Sequence, residues 1–361
     1  MSYSHTRRMM SNGSHRRAGL LASTEITVVV TMLVLLCWVG SCLISLPDDE
    51  LAAYVALSRA STDRPVYRLS MEETGNRLWV FRGPQEVTGV NAASGQIDRW
   101  RSSQGNSLLM VAHSRDGATS LFITHGNCVY LDREGFDPVT WQLSEKSPAL
   151  MDLAVSADGS VALVALSDGT VHGWNVIEGR VDAFEYRIPN LRLLSRMCLD
   201  CDGLRLFAAF GDGSASIHEA MTGEIVCNSL RLSGECTAAV WSDDGQRVAV
   251  ATADGSLGMI DATTGKRVWN ATGNLPRELL LIATTLAISP DGEWLAAGGL
   301  STQYLLWNVN TPDVARKLSG HHGLVRAITF SPHAKTFFTG SLDGTIREWS
   351  LETFAPLKTF K

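Results

Sequence analysis

The 361 residues carry a formal charge of −6, with 45% hydrophobic residues, 19% charged residues and 32 glycines. That balance excludes a disordered or fibrous chain, supplies apolar surface for a large core, and suits turn-rich β structure. Because the first 47 residues hold four arginines and Glu25, the remainder has 27 basic against 36 acidic residues, a formal charge of −9 that repels phosphate and argues against nucleic acid as a partner.

Residues 1–25 read as a basic tail containing Arg7, Arg8, Arg16 and Arg17. The next 21 residues, Ile26 to Leu46, are uncharged. As a helix they would be about 30 Å long, enough to cross a bilayer core, and Pro47 with Asp48, Asp49 and Glu50 marks their end. The expected element is a transmembrane or signal-anchor helix over 26–46. Four arginines before it, against Arg59 and Arg64 after it, place the N-terminus in the cytoplasm and the rest of the chain outside. Val39-Gly40-Ser41-Cys42 resembles a bacterial lipobox, which leaves lipid attachment at Cys42 as an alternative to an uncleaved anchor. Glu25, following Arg16-Arg17 and Gly19, resembles a pilin-type leader. Residues 47–65 read as a juxtamembrane linker, with a short helix on Leu51, Val55 and Leu57 ended by Thr62-Asp63-Arg64-Pro65.

From Val66 a unit of short apolar runs and tight turns recurs. Its clearest copy, Gly320 to Ser350, has a Gly-His pair, an alternating run through Val325, Ala327 and Thr329, and a Ser331-Pro332 turn. A Phe337-Phe338 run, an Asp343-Gly344 turn and a closing Trp349-Ser350 follow. Asp168, Asp212, Asp254 and Asp343 each stand six residues before Trp174, His218, Ile260 and Trp349. Where that turn has drifted, the same spacing selects Val90, Leu131 and Trp307. The next residue is Asn91, Asp132, Asn175, Glu219, Asp261, Asn308 or Ser350, nearly always small or acidic. A second marker agrees: SRDG from 114, SADG from 156, DCDG from 200, SDDG from 242, SPDG from 289, SPHA from 331 and a blurred EETG from 72.

The unit resembles the WD40 repeat, with Ser350 where that family usually has Asp. The resemblance implies an all-β fold, a seven-bladed WD40-like β-propeller over 66–361, preceded by the single N-terminal transmembrane helix. Blades are expected near 66–104, 105–145, 146–187, 188–231, 232–272, 273–318 and 319–361, about 42 residues each. It also implies a buried hydrogen-bond tetrad in the last blade, made by His321, Ser341, Asp343 and Trp349, with His322 able to replace His321.

Chemistry-bearing motifs are few. Cys198-Leu199-Asp200-Cys201 is a CxxC without a second pair or a βα context, and reads as two ordinary thiols. Outside the cytoplasm a 198–201 or 227–236 bridge stays open. The nine histidines show no HExxH spacing, and GxSxG and phosphate-binding glycine loops are missing, so neither metal, cofactor nor catalysis is expected. The stretches Asp261 to Trp269 and Asn91 to Trp100 resemble the tryptophan-docking motif of quinoprotein-like propellers, which also serves as a c-to-d turn in WD40 blades. The expected function is a non-catalytic, membrane-anchored interaction scaffold for an unidentified protein partner, with Arg196, Trp241 and Arg326 as candidate contacts near the ends of the first strands. The alternatives are a quinoprotein-like extracytoplasmic assembly scaffold, a quinone-dependent oxidoreductase, or a ligand sensor.

Overall fold

The computed structural model describes residues 66–72, 74–82, 86–102, 108–115, 117–124, 128–133, 135–142, 148–177, 180–189, 193–271, 283–311 and 315–360. The basic tail, the 26–46 segment, Cys42 and the 47–65 linker lie outside these residues. Among the described residues no helix is long and apolar enough to cross a membrane.

Among the described residues twenty-eight strands, β1 to β28, form seven four-stranded antiparallel sheets, each built from four strands consecutive in the chain. The sheets are the blades of a propeller. The innermost strands are β1 (Val66–Met71), β5 (Leu108–His113), β9 (Leu150–Val155), β13 (Leu194–Leu199), β17 (Cys236–Trp241), β21 (Ala283–Ile288) and β25 (Val325–Phe330).

Each inner strand has a bulge at its second residue, where the register skips Tyr67, Leu109, Met151, Ser195, Thr237, Thr284 or Arg326. A bulge twists the strand and re-aims the side chains beyond it, and here it recurs at the same position of every inner strand. The second strands, such as Val161–Leu166 and Arg247–Thr252, are rich in small and branched apolar residues because both of their faces are buried.

The seven residues found by spacing share one register. Val90, Leu131, Trp174, His218, Ile260, Trp307 and Trp349 stand opposite Leu78, Leu121, Ala162, Leu206, Val248, Leu295 and Phe337. All seven are buried. The position demands burial rather than an indole, which is why valine, leucine and isoleucine can occupy it.

Turn chemistry repeats just as strictly. In the a-to-b turns, Asp158, Asp244 and Asp291 accept from the backbone N–H two residues on, at 2.9–3.0 Å. Ser156, Ser242 and Ser289 bond those acids and accept the N–H that starts the next strand. Six blades place glycine at the left-handed fourth position, with φ of 63–71°. The last blade has Ala334 there at 49°.

The core lies between the blades. The cluster joining the last blade to the first contains Val66, Leu69, Ala327, Phe338 and Ile346. First and second blades meet through aromatic contacts instead: Phe81 stacks on His113 with ring centres 3.7 Å apart, and a Cβ on Gly117 would stand 2.1 Å from the Trp79 ring. No strand is shared between the first and last blades among the described residues, so side chains close the ring. Gly340 lets the two sheets approach, for a Cβ there would lie 2.4 Å from Val66. Arg82 donates across the seam to the Gly344 carbonyl at 2.9 Å, and Lys358 to the Ala93 carbonyl at 2.8 Å.

Candidate functional site

The last blade contains a relay of buried polar groups spanning β26 (Thr336–Ser341), the following turn and β27 (Ile346–Ser350). The Trp349 indole N–H donates to Thr339 Oγ1 at 2.9 Å, and Thr339 Oγ1 meets His321 Nε2 at 2.8 Å. His321 Nδ1 lies 3.1 Å from Asp343 Oδ2, which also accepts the His322 N–H at 2.8 Å. Asp343 Oδ1 takes the Thr345 hydroxyl at 2.6 Å and the Thr345 N–H at 2.8 Å. The donors and acceptors balance when His321 carries its proton on Nδ1. Partial burial alone would raise the Asp343 pKa. The hydrogen bonds from His321, Thr345 and the two backbone amides outweigh it and hold the carboxyl well below the usual range.

The relay corrects one expected member. Its hydroxyl is Thr339, whereas Ser341 accepts the Asp343 N–H at 3.1 Å and stands outside the path from Trp349 to Asp343. Thr339 and Ser341 are alternate residues of one strand and share a face, so spacing could not separate them. His321 is the inward histidine, and His322 is exposed.

In four blades the residue following the buried position of the third strand caps the next turn. Asn91 Oδ1 accepts the N–H groups of Ala93 and Ser94, Asp261 those of Thr263 and Thr264, and Asn308 that of Asn310, at 2.7–3.1 Å. Ser350 Oγ accepts the Thr353 N–H at 3.1 Å and does with a hydroxyl what Asp261 does with a carboxylate. Glu219 instead bonds the Thr222 hydroxyl at 2.8 Å, and the Asn175 amide approaches Met221 Sδ at 3.8 Å. Asp132 is half-buried, paired in register with Ser120. Asn91, Asp261, Asn308 and Ser350 hold their turns in shape.

The three expected surface contacts divide. Trp241 is only 5% exposed, its indole N–H donates to the Cys198 carbonyl at 3.0 Å, and the Arg205 guanidinium lies 4.9 Å above its ring. It is therefore an inter-blade wedge and not an exposed contact, because a side chain so large and rigid fills the gap between the fourth and fifth blades. Arg196 is half-buried on the axis and donates to the Thr237 carbonyl at 2.9 Å. Arg326 is the bulged residue of β25, half-buried and near enough to Tyr67 to oppose the rise that burial causes in the Tyr67 pKa.

Cys198, Cys201, Cys227 and Cys236 are free thiols. Burial pushes the Cys198 pKa well above its ordinary value, that of Cys201 up to about 11 and that of Cys236 up to about 12, so little thiolate is present near neutrality. Trp269, the last residue of the docking-like stretch, is buried against Trp307 of the next blade, with ring centres 6.3 Å apart. Its place is that of inter-blade packing. Among the described residues no group of three or more His, Cys, Asp or Glu is arranged to hold a metal ion.

Residues 313–350 match the family model described as WD domain, G-beta repeat. The match runs through the outer strand β24 (Ala315–Ser319) of the sixth blade and the first three strands of the seventh. Residues 313–350 thus match a WD40 repeat, set in a fold of seven propeller blades. Among curated WD40 relatives it is 37% identical over 67 residues to the U3 snoRNP-associated protein-like EMB2271 of Arabidopsis thaliana, covering 19% of this chain and 14% of that protein. It is 33% identical over 84 residues to the serine-threonine kinase receptor-associated protein of Dictyostelium discoideum, covering 22% of this chain and 29% of that one. The chain thus spans less than a third of either relative. The β-propeller domain of Cps50 (Swd1) from Myceliophteria thermophila superposes with a TM-score of 0.65 at 18% identity, covering 81% of this chain and 99% of that domain, which is a likeness of fold.

Proposed function

We propose that the chain is a non-catalytic interaction platform held at a membrane by residues 26–46, with the N-terminus cytoplasmic and the propeller outside. Lipid attachment at Cys42 is the other form of the same tether. WD40 propellers bind protein partners, and the observation that carries a protein-binding role here lies on the fourth blade. Leu204 and Met221, in its a-to-b and c-to-d turns, are 62% and 43% exposed, and Ile225, which opens β16 (Ile225–Arg231), is 58% exposed. The Ala220 N–H donates to the Leu204 carbonyl at 2.9 Å, which brings the two turns side by side. Exposed apolar residues gathered on turns of a rigid scaffold are the usual makings of a protein-binding surface. The net charge of −9 beyond residue 47 favours a protein over a polyanion as the partner.

The reading is tested by cross-linking the full-length chain in its own membrane and comparing wild type with Leu204→Glu/Ile225→Glu. Expected is a cross-linked protein lost in the variant, together with membrane fractionation and protease accessibility of the propeller from the outer side. A cross-link unchanged by the substitutions would remove the blade-four surface. A chain found wholly in the soluble fraction would remove the tether.

A further inference from the structure

The chemistry of the fourth-blade surface narrows the kind of partner it fits. Leu204, Met221 and Ile225 stand on two turns whose backbone is held by hydrogen bonds on both sides. Asp200 Oδ1 accepts the Leu204 N–H at 2.8 Å and the Arg205 N–H at 3.0 Å, while the Leu204 carbonyl accepts from Ala220. Both backbone groups of the exposed leucine are therefore engaged within the blade. The c-to-d turn is closed by the Glu219 N–H on the Glu224 carbonyl at 2.8 Å and the Gly223 N–H on the Glu219 carbonyl at 2.9 Å. Beneath it the buried His218 donates from Nδ1 to the Gly223 carbonyl at 3.0 Å and accepts the Ser216 hydroxyl on Nε2 at 2.7 Å. Apolar side chains on turns fixed in this way cost little ordering entropy when a partner covers them.

The same two turns are acidic. Asp202 stands in the a-to-b turn two residues before Leu204, and Glu219 and Glu224 bracket the c-to-d turn that carries Met221. All three acids are exposed, and among the described residues none of them takes part in an ion pair. Glu219 holds the Thr222 hydroxyl, which leaves its charge uncompensated. Arg205, the one arginine of these turns, is directed inward. It donates to Asp200 Oδ2 at 2.9 Å and to the Gly245 carbonyl, and lies over the Trp241 ring. Its charge is matched by Asp200, so three free carboxylates accompany three exposed apolar side chains.

We infer that the fourth-blade surface takes a basic, apolar-anchored protein segment. Large aliphatic or aromatic side chains of the segment seat on Leu204, Met221 and Ile225, and flanking lysine or arginine residues meet Asp202, Glu219 and Glu224. The inference rests on the protein-binding reading of this surface and adds the sign of the partner's charge. Carboxylates beside an apolar patch offer a cation charge-assisted hydrogen bonds and turn away acidic competitors. A second copy of the chain fits badly, because a two-fold contact through one patch sets these acids against each other. Anionic lipid headgroups and nucleic-acid phosphates meet the same repulsion.

The test is selection of a phage-displayed random peptide library on the full-length chain in detergent, followed by titration of the selected peptides in synthetic form. Expected are peptides of net positive charge with Lys or Arg beside Leu, Ile, Met or Phe. Their affinity should fall about fivefold or more in Glu219→Gln/Glu224→Gln, verified as folded by its melting curve, and be lost in Leu204→Ser/Ile225→Ser. Glu219→Lys/Glu224→Lys should select acidic peptides in their place. Neutral or acidic peptides that are lost in Leu204→Ser/Ile225→Ser, or basic ones that bind Glu219→Gln/Glu224→Gln undiminished, would overturn the basic partner and leave the protein-binding surface standing. Peptides that bind Leu204→Ser/Ile225→Ser as well as the wild type, or a library with no enrichment, would remove the surface and the basic partner together.

Discussion

Replacing Thr339 by valine isolates the relay of the last blade. Valine matches threonine in shape, so packing is kept and only the bridging hydroxyl goes. Two buried groups then lose a partner, the Trp349 indole N–H at 2.9 Å and His321 Nε2 at 2.8 Å, on a histidine side chain with no exposed surface. Stranding a buried polar group costs about 1–3 kcal/mol, so Thr339→Val should destabilise by about 2–6 kcal/mol. Thr339→Ser keeps the hydroxyl and loses one methyl group, about 1 kcal/mol. Ser341→Ala removes one acceptor of the Asp343 N–H and should also cost about 1 kcal/mol. Urea midpoints of the four proteins give the order, and native-state hydrogen exchange at the His322 and Thr345 amides locates the loss in the last blade. A Thr339→Val cost no larger than that of Ser341→Ala would refute the relay.

Three further outcomes are expected. Gly340→Ala sets a methyl 2.4 Å from Val66 and should cost about 1–3 kcal/mol, recovered in part by Val66→Ala; additive melting-temperature losses in the double variant would show that the two do not meet. Ala334→Gly relieves a left-handed residue at φ 49° and should stabilise by up to about 1 kcal/mol, and a lowered melting temperature would contradict that strain. Asp343 has a folded pKa below its unfolded value, so its contribution is complete above the unfolded value of about 3.9 and is lost as pH falls towards the folded one; Asp343→Asn should therefore show a flatter stability profile between about pH 5 and 2, and parallel profiles would exclude the effect.

Repetition made the blades readable. A turn that needs Asp or Ser to cap an amide and glycine at positive φ leaves those residues at fixed offsets, as at Asp244-Gly245 and Asp291-Gly292, and a buried position six residues past the next turn tolerates Trp349 or Val90 alike. What spacing could not supply is which of two residues on one face makes a contact, as with Thr339 and Ser341, or which way a large side chain turns, as with Trp241. Contacts across the ring were hidden for another reason. Arg115 and Asp243, which form a bidentate ion pair, are 128 residues apart, so nothing local relates them before the ring closes.

The ring's closure bears on how the domain would yield to a pull. In a propeller whose last sheet borrows a strand from the other terminus, tension between the ends loads a ladder of hydrogen bonds in shear. Among the described residues every sheet is made from consecutive strands, and the load at Val66 falls on its packing with Gly340 and on the Arg82 and Lys358 bonds across the seam. Those contacts separate face from face without sliding. The first blade should therefore detach at low force as a single unit, leaving six blades to yield in later steps.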